Sequence, residues 1–124
     1  MDIRIKTTDY EMPPEVATYL EGRIASLERL IAEDAHHARF EVEVGRDGGS
    51  SRRGDNMWFA EIRVIIPGDR SCYARNNSES VNGAIDDVKE EVERQLRKRK
   101  RYSTRFLRRS GALAKRLLRF GRSE

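Results

Sequence analysis

Arg97-Lys98-Arg99-Lys100-Arg101 is a run of five consecutive cations, preceded by Arg94 and followed by Tyr102, Arg105, Arg108 and Arg109. The chemistry open to such a set is the binding of a phosphate-rich polyanion. Guanidinium groups fork onto phosphate oxygens through paired hydrogen bonds and stack on bases, so lysine is not their equivalent. Ten of the thirteen cations from Arg94 onward are arginines. Tyr102 and Phe106 interleave with them and offer rings to unpaired bases. Compensating a helix dipole asks for fewer cations than five in a row.

Other residues invite chemistry less strongly. His36-His37 are adjacent and point apart, with no third histidine and no cysteine nearby, so a loop pair is expected and no metal. Cys72 is the only cysteine, which excludes an intrachain disulfide and fits a reducing compartment. It alternates with Ala74 on an inner strand face and reads as a small core residue. Asp86-Asp87 and Glu90-Glu91 lie beside an apolar helical stripe and read as a solvated face. The glycine-rich stretch from Gly45 to Gly54 lacks the Gly-Lys-Ser/Thr ending of a phosphate-binding loop. No convergent acid, base and nucleophile appears, so no enzyme and no cofactor are expected.

The elements that must position these residues follow from hydrophobic spacing. Ile3 and Ile5 alternate with Asp2, Arg4 and Lys6, which predicts a half-buried strand. Met12-Pro13-Pro14 opens a helix, since proline is tolerated in a first turn. Val16, Leu20, Ile24, Leu27 and Ile31 line one face, with Arg23 and Arg29 off it, and an end is expected near Glu33-Asp34. Phe40, Val42 and Val44 predict a second strand. Trp58, Ala60, Ile62, Val64 and Ile66 predict a third, with one of Trp58 and Phe59 in the core and the other exposed for stacking. Pro67-Gly68-Asp69 is a turn signal, and residues 70–76 return as a fourth strand. Ser78 or Ser80 caps a last helix with the stripe Val81, Ile85, Val88, Val92 and Leu96. The expected fold is α+β: a two-layer β-α-β-β-β-α domain over residues 1–102, with a four-stranded sheet carrying both helices on one face. An arginine-rich C-terminal tail follows over residues 103–124.

The chain has 124 residues, 37% hydrophobic and 37% charged, with net charge +4. That sum hides a split: 13 Lys/Arg against one acid from Arg94 on give +12, and 12 against 20 before it give −8. The acidic part repels a polyanion and so orients its approach to the basic end. No apolar run has the length of a membrane span, and the N-terminus lacks the apolar stretch of a secretory signal, so a cytoplasmic protein is expected. Two readings of the tail remain open from composition: nucleic-acid contact, or a peripheral helix on an anionic membrane using Leu107, Leu113, Leu117 and Phe120. A general RNA-binding module is a further alternative.

Four stretches, in order, carry a family resemblance: Asp2-Ile3-Arg4-Ile5; Met12-Pro13 leading to Tyr19-Leu20-Glu21 and Leu27-Glu28-Arg29; Ala60-Glu61-Ile62-Arg63-Val64 ending in Ile66-Pro67-Gly68; and Gly83-Ala84-Ile85-Asp86-Asp87-Val88 followed by Glu93-Arg94-Gln95-Leu96-Arg97-Lys98. Together they resemble the bacterial ribosome hibernation-promoting factor family, also described as ribosome-associated translation inhibitors, over residues 1–102. The resemblance implies a non-catalytic domain, similar in outline to double-stranded RNA-binding domains. It would sit on the small ribosomal subunit against 16S rRNA and overlap the paths of mRNA and tRNA. Arg23, Arg29, Arg94, Arg97, Lys98 and Lys100 match basic positions of that family. Arg99, Arg101, Tyr102, Arg105, Arg108 and Arg109 extend the expected RNA-binding set along the chain. Ser26 and Glu91 depart from it, each standing where lysine is common. The long family form adds a dimerising C-terminal domain, for which this chain is expected to be too short.

Overall fold

A computed structural model describes residues 2–47, 56–69 and 71–99. Strand β1 (Asp2–Thr8) leads into helix α1 (Pro14–Ile31), a short 3-10 turn (Ala32–His37), then β2 (Arg39–Arg46), β3 (Trp58–Ile65) and β4 (Cys72–Ser78). Helix α2 covers residues 81–99. The sheet order is β1-β2-β3-β4, with β1 parallel to β2 and the other pairs antiparallel. This is the expected β-α-β-β-β-α order and α+β class.

Register explains the layering. Phe40 pairs with Val64 and Val64 with Cys72; Val42 pairs with Ile62 and Ile62 with Ala74. Paired residues share a sheet face, so these side chains form one apolar surface. They join Leu20, Ile24, Leu27 and Ile31 of α1 and Ala84, Ile85, Val88, Val92 and Leu96 of α2 in a single buried core. Both helices therefore cover the same face. The opposite face is polar.

Three local differences have physical causes. Helix α1 stops at Ile31, short of Glu33-Asp34, because Ala32 takes φ of +50° and turns the chain into the 3-10 segment. Ile3 and Ile5 stay 43% and 44% exposed, since β1 is an edge strand and the helices centre on β2–β4. Neither Trp58 nor Phe59 is an exposed stacking ring. Trp58 is half-buried, edge-on to Tyr10 at 5.1 Å, and Phe59 is 3% exposed beneath the Arg75 guanidinium at 4.0 Å.

The turn at Pro67-Gly68-Asp69 forms, with Gly68 at φ +80° and the Asp69 N–H bonded to the Ile66 carbonyl at 3.0 Å. Fourth-strand pairing starts at Cys72. Of the two cap candidates, Ser80 caps α2: its hydroxyl accepts from the Gly83 N–H at 3.0 Å, and its carbonyl accepts from the Ala84 N–H at 3.0 Å. Replacing Ser80 by Ala leaves the Gly83 N–H without that acceptor. A loss of about 1 kcal/mol is expected, measured by urea unfolding, with the slope of the transition unchanged.

Candidate nucleic-acid interface

The two helices run side by side in the same direction. One cross-link joins their early turns: the Tyr19 hydroxyl donates to the Asp86 carboxylate, and Arg23 pairs with Asp86 at 3.3 Å. A second joins their ends: Arg99 pairs with Asp34, just past α1, at 3.1 Å. Residue 99 of α2 therefore lies beside the C-terminal end of α1. The C-terminus of α1 carries partial negative charge, which favours cations at that end. The sequence supplies Arg29 in the last turn of α1, and Arg94, Arg97 and Lys98 on the turns of α2 that lead to residue 99.

Arg94, Arg97 and Lys98 stand at i, i+3 and i+4 and so share one helix face. That face looks away from the buried stripe, and all three residues are exposed. Arg94 is 74% exposed and pairs with Glu91. Arg97 is 59% exposed and pairs with Glu93 through Nε at 3.0 Å and Nη2 at 2.9 Å. Glu93 also accepts from Lys89. The Lys89 and Arg97 hydrogen bonds hold its carboxyl below the usual range. Lys98 makes no ion pair among the described residues. Arg29 is exposed and donates to the Ser26 hydroxyl at 3.2 Å. These four cations can meet phosphate without unfolding anything. Their intrahelical pairs are solvent-exposed and weak, so phosphate can replace the carboxylates at little cost.

Arg23 and Arg99 are placed differently. Arg23 lies at the seam between the helices, its guanidinium 4.7 Å from the Tyr19 ring and 2.7 Å from the Tyr19 hydroxyl. Arg99 has a side chain only 19% exposed and held by two carboxylates, Asp34 and Asp69. Both arginines bind the fold together where the spacing suggested open contacts. Sequence reasoning did not mark Asp34, Asp69 and Asp86 as partners of these arginines, because each lies 30 or more residues from its arginine in the chain. Lys100, Arg101, Tyr102, Arg105, Arg108 and Arg109 lie outside the described residues.

Gln95, inside the family-like stretch, also has a structural task. Its side chain accepts from the Tyr73 N–H at 2.9 Å and donates to the Tyr73 carbonyl at 2.7 Å. It thus occupies backbone groups on the outer edge of β4, a common way of blunting an edge strand.

The open sheet face is electrically different. Arg4 and Arg39 pair with Asp2 at 3.2 and 3.4 Å, Arg63 with Glu41 at 4.0 Å, and Arg75 with Asp47 at 3.7 Å. Arg63 also lies over the Tyr73 ring at 4.6 Å. Its cations are matched by acids across the strands, so its attraction for a polyanion is small beside that of the helix ends.

The remaining candidates stay structural. His36 and His37 sit on the 3-10 turn with their rings 4.9 Å apart. Among the described residues no group of three His, Cys, Asp or Glu side chains could hold a metal ion. Cys72 is buried, and burial raises its thiol above the ordinary value, away from the reactive thiolate. No helix among the described residues is long and apolar enough to cross a membrane.

Known structures repeat this architecture. The Thermus thermophilus Protein Y N-terminal domain aligns with a TM-score of 0.61 at 22% identity, covering 79% of this chain and 98% of its own. A ribosomal subunit interface protein from Coxiella burnetii aligns with a TM-score of 0.61 at 16% identity, covering 81% of this chain and 98% of its own. At these identities the likeness is one of fold. No curated protein sequence matches the chain significantly. A family model matches residues 3–104, and on that match the chain belongs to the Sigma 54 modulation protein / S30EA ribosomal protein family.

Proposed function

We propose that this protein binds the small ribosomal subunit through 16S rRNA and inhibits translation by occupying the mRNA/tRNA channel, as a hibernation factor without catalytic activity. The observation that carries the reading is the set of exposed cations Arg29, Arg94, Arg97 and Lys98 on the helix layer, beside an open sheet face whose arginines are paired with acids. Family membership supports ribosome association, and the Coxiella burnetii neighbour is itself a ribosomal subunit interface protein. Glu79, just before α2, and Asp86 and Asp87 in its early turns direct a phosphate surface toward the opposite end of the helix layer. The cytoplasm follows as the compartment.

Co-sedimentation with purified small subunits tests the reading. Binding is expected to weaken steeply as salt rises, because bound cations release condensed counterions from the RNA. Messenger RNA is expected to compete. Absence of salt-sensitive binding overturns the proposal, and equal affinity for any duplex RNA favours a general RNA-binding module instead. Removing residues 103–124 is expected to weaken binding and flatten its salt dependence without abolishing either. Flotation with anionic liposomes that depends on the same residues, without subunit binding, favours the membrane reading.

A further inference from the structure

We infer that Arg99, although it belongs to the cationic run, is a positioning residue that locks residues 95–99 of α2 so that Arg94, Arg97 and Lys98 face the RNA. The inference rests on the proposed ribosome binding and assigns Arg99 a task distinct from that of its neighbours.

The geometry separates Arg99 from Lys98 by one residue, about 100° around the helix. Val92, Leu96 and position 99 fall at i, i+4 and i+7, so Arg99 continues the buried stripe. A guanidinium there must be paired, since an unpaired charge beside a core is costly. Two acids meet it. Asp34 comes from the 3-10 turn after α1, and Asp69 comes from the turn between β3 and β4. One side chain thus ties residue 99 of α2 to the turn that follows α1 and to the β3–β4 turn. One turn earlier, Gln95 ties α2 to the edge of β4. Arg94, Arg97 and Lys98 flank these two anchors, which fix the direction in which the three cations project.

A contact role and a positioning role give opposite signs for the acids. Neutralising Asp34 and Asp69 adds two positive charges to the domain and releases Arg99. If Arg99 were a phosphate contact restrained by those acids, the double variant Asp34→Asn/Asp69→Asn would bind RNA more tightly. If Arg99 positions this part of α2, the double variant binds less tightly despite the favourable charge, because ordering residues 95–99 must then be achieved during binding.

The test uses the full chain and purified small subunits across a salt series, with hydrogen exchange on the free protein. Arg99→Met and Asp34→Asn/Asp69→Asn are each expected to weaken binding about fivefold, and for Arg99→Met the plot of log affinity against log salt shifts in parallel. Lys98→Ala, the contact control, is expected to reduce the slope by about 0.7–0.9. In free Arg99→Met the amides of residues 97–99 are expected to exchange about tenfold faster. Tighter or unchanged binding by the double variant overturns the inference. So does a slope loss in Arg99→Met equal to that of Lys98→Ala, or unchanged exchange. If the unmodified protein fails to bind subunits, the ribosome reading falls, and exchange alone still decides whether Arg99 locks residues 95–99.

Discussion

Replacing Arg94, Arg97 and Lys98 together by alanine is expected to weaken binding to the small subunit on the order of 100-fold near physiological salt, without unfolding the domain. Each phosphate contact contributes a salt slope of about 0.7–0.9, so losing three removes about 2–3 from the slope. At about 1 kcal/mol per contact the loss reaches roughly 3 kcal/mol, and every 1.4 kcal/mol is a factor of ten. The fold tolerates the change because all three side chains are exposed. The ion pairs of Arg94 with Glu91 and Arg97 with Glu93 are surface i,i+3 and i,i+4 pairs, each worth about 0.3–0.5 kcal/mol. Alanine, the best helix former, recovers part of that. Glu91 and Glu93 lose their arginine partners, and Glu93 keeps Lys89, so the added negative charge deepens the loss. The reverse change supplies a control of opposite sign: Glu91→Gln releases Arg94 and is expected to strengthen binding. A salt titration of affinity beside a thermal melt checks both. Equal slopes for the triple variant and the unmodified protein would remove this face from the interface.

Why these three cations and not all members of the run could be read from sequence depends on what periodicity encodes. The stripes Val16–Ile31 and Val81–Leu96 were legible because apolar residues at steps of three and four line one side of a helix and scatter over both faces of a strand. Both helices appear with those residues against the sheet. The parallel pairing of β1 with β2 suits strands that a helix separates in the chain. Periodicity tells which face a residue occupies. It does not tell whether anything covers that face. Ile3 and Ile5 share the face of Phe40 and Val42 and remain exposed, because no helix reaches the edge strand. Phe59, on the polar face, is buried under a guanidinium contributed by β4, which alternation cannot foresee. The cationic run fails to resolve for the same reason. Composition groups Lys98 with Arg99, and helical geometry separates them. The signal that Arg99 turns inward was present, three positions after Leu96. Its confirmation needed Asp34 and Asp69, residues that only the fold brings near.

The largest expected loss of stability among the substitutions considered comes from a single methyl group at Gly45. Thr8 and Gly45 form the last pair of the parallel β1–β2 ladder. A Cβ on Gly45 would stand 2.1 Å from the Thr8 carbonyl oxygen and 2.9 Å from the Thr8 carbonyl carbon and nitrogen. These are backbone atoms, so no side-chain rotation relieves the clash, and the end of β1 must move off β2. That motion also breaks the hydrogen bond that the Thr8 hydroxyl donates to Glu43. The domain survives because β1 is an edge strand that adds no residue to the buried core. Gly45→Ala is therefore expected to cost about 1–3 kcal/mol and to lower the melting temperature by several degrees for each kcal/mol. Faster exchange should be confined to the amides near Thr8. The same substitution at Gly22, an exposed position inside α1 with open space around its Cβ, is expected to stabilise by about 0.5–1 kcal/mol, since alanine is the better helix former. The two variants carry identical chemistry, so the difference in sign between their melts isolates the backbone approach at Thr8. Equal melts would mean that the register of β1 on β2 is not held at this pair.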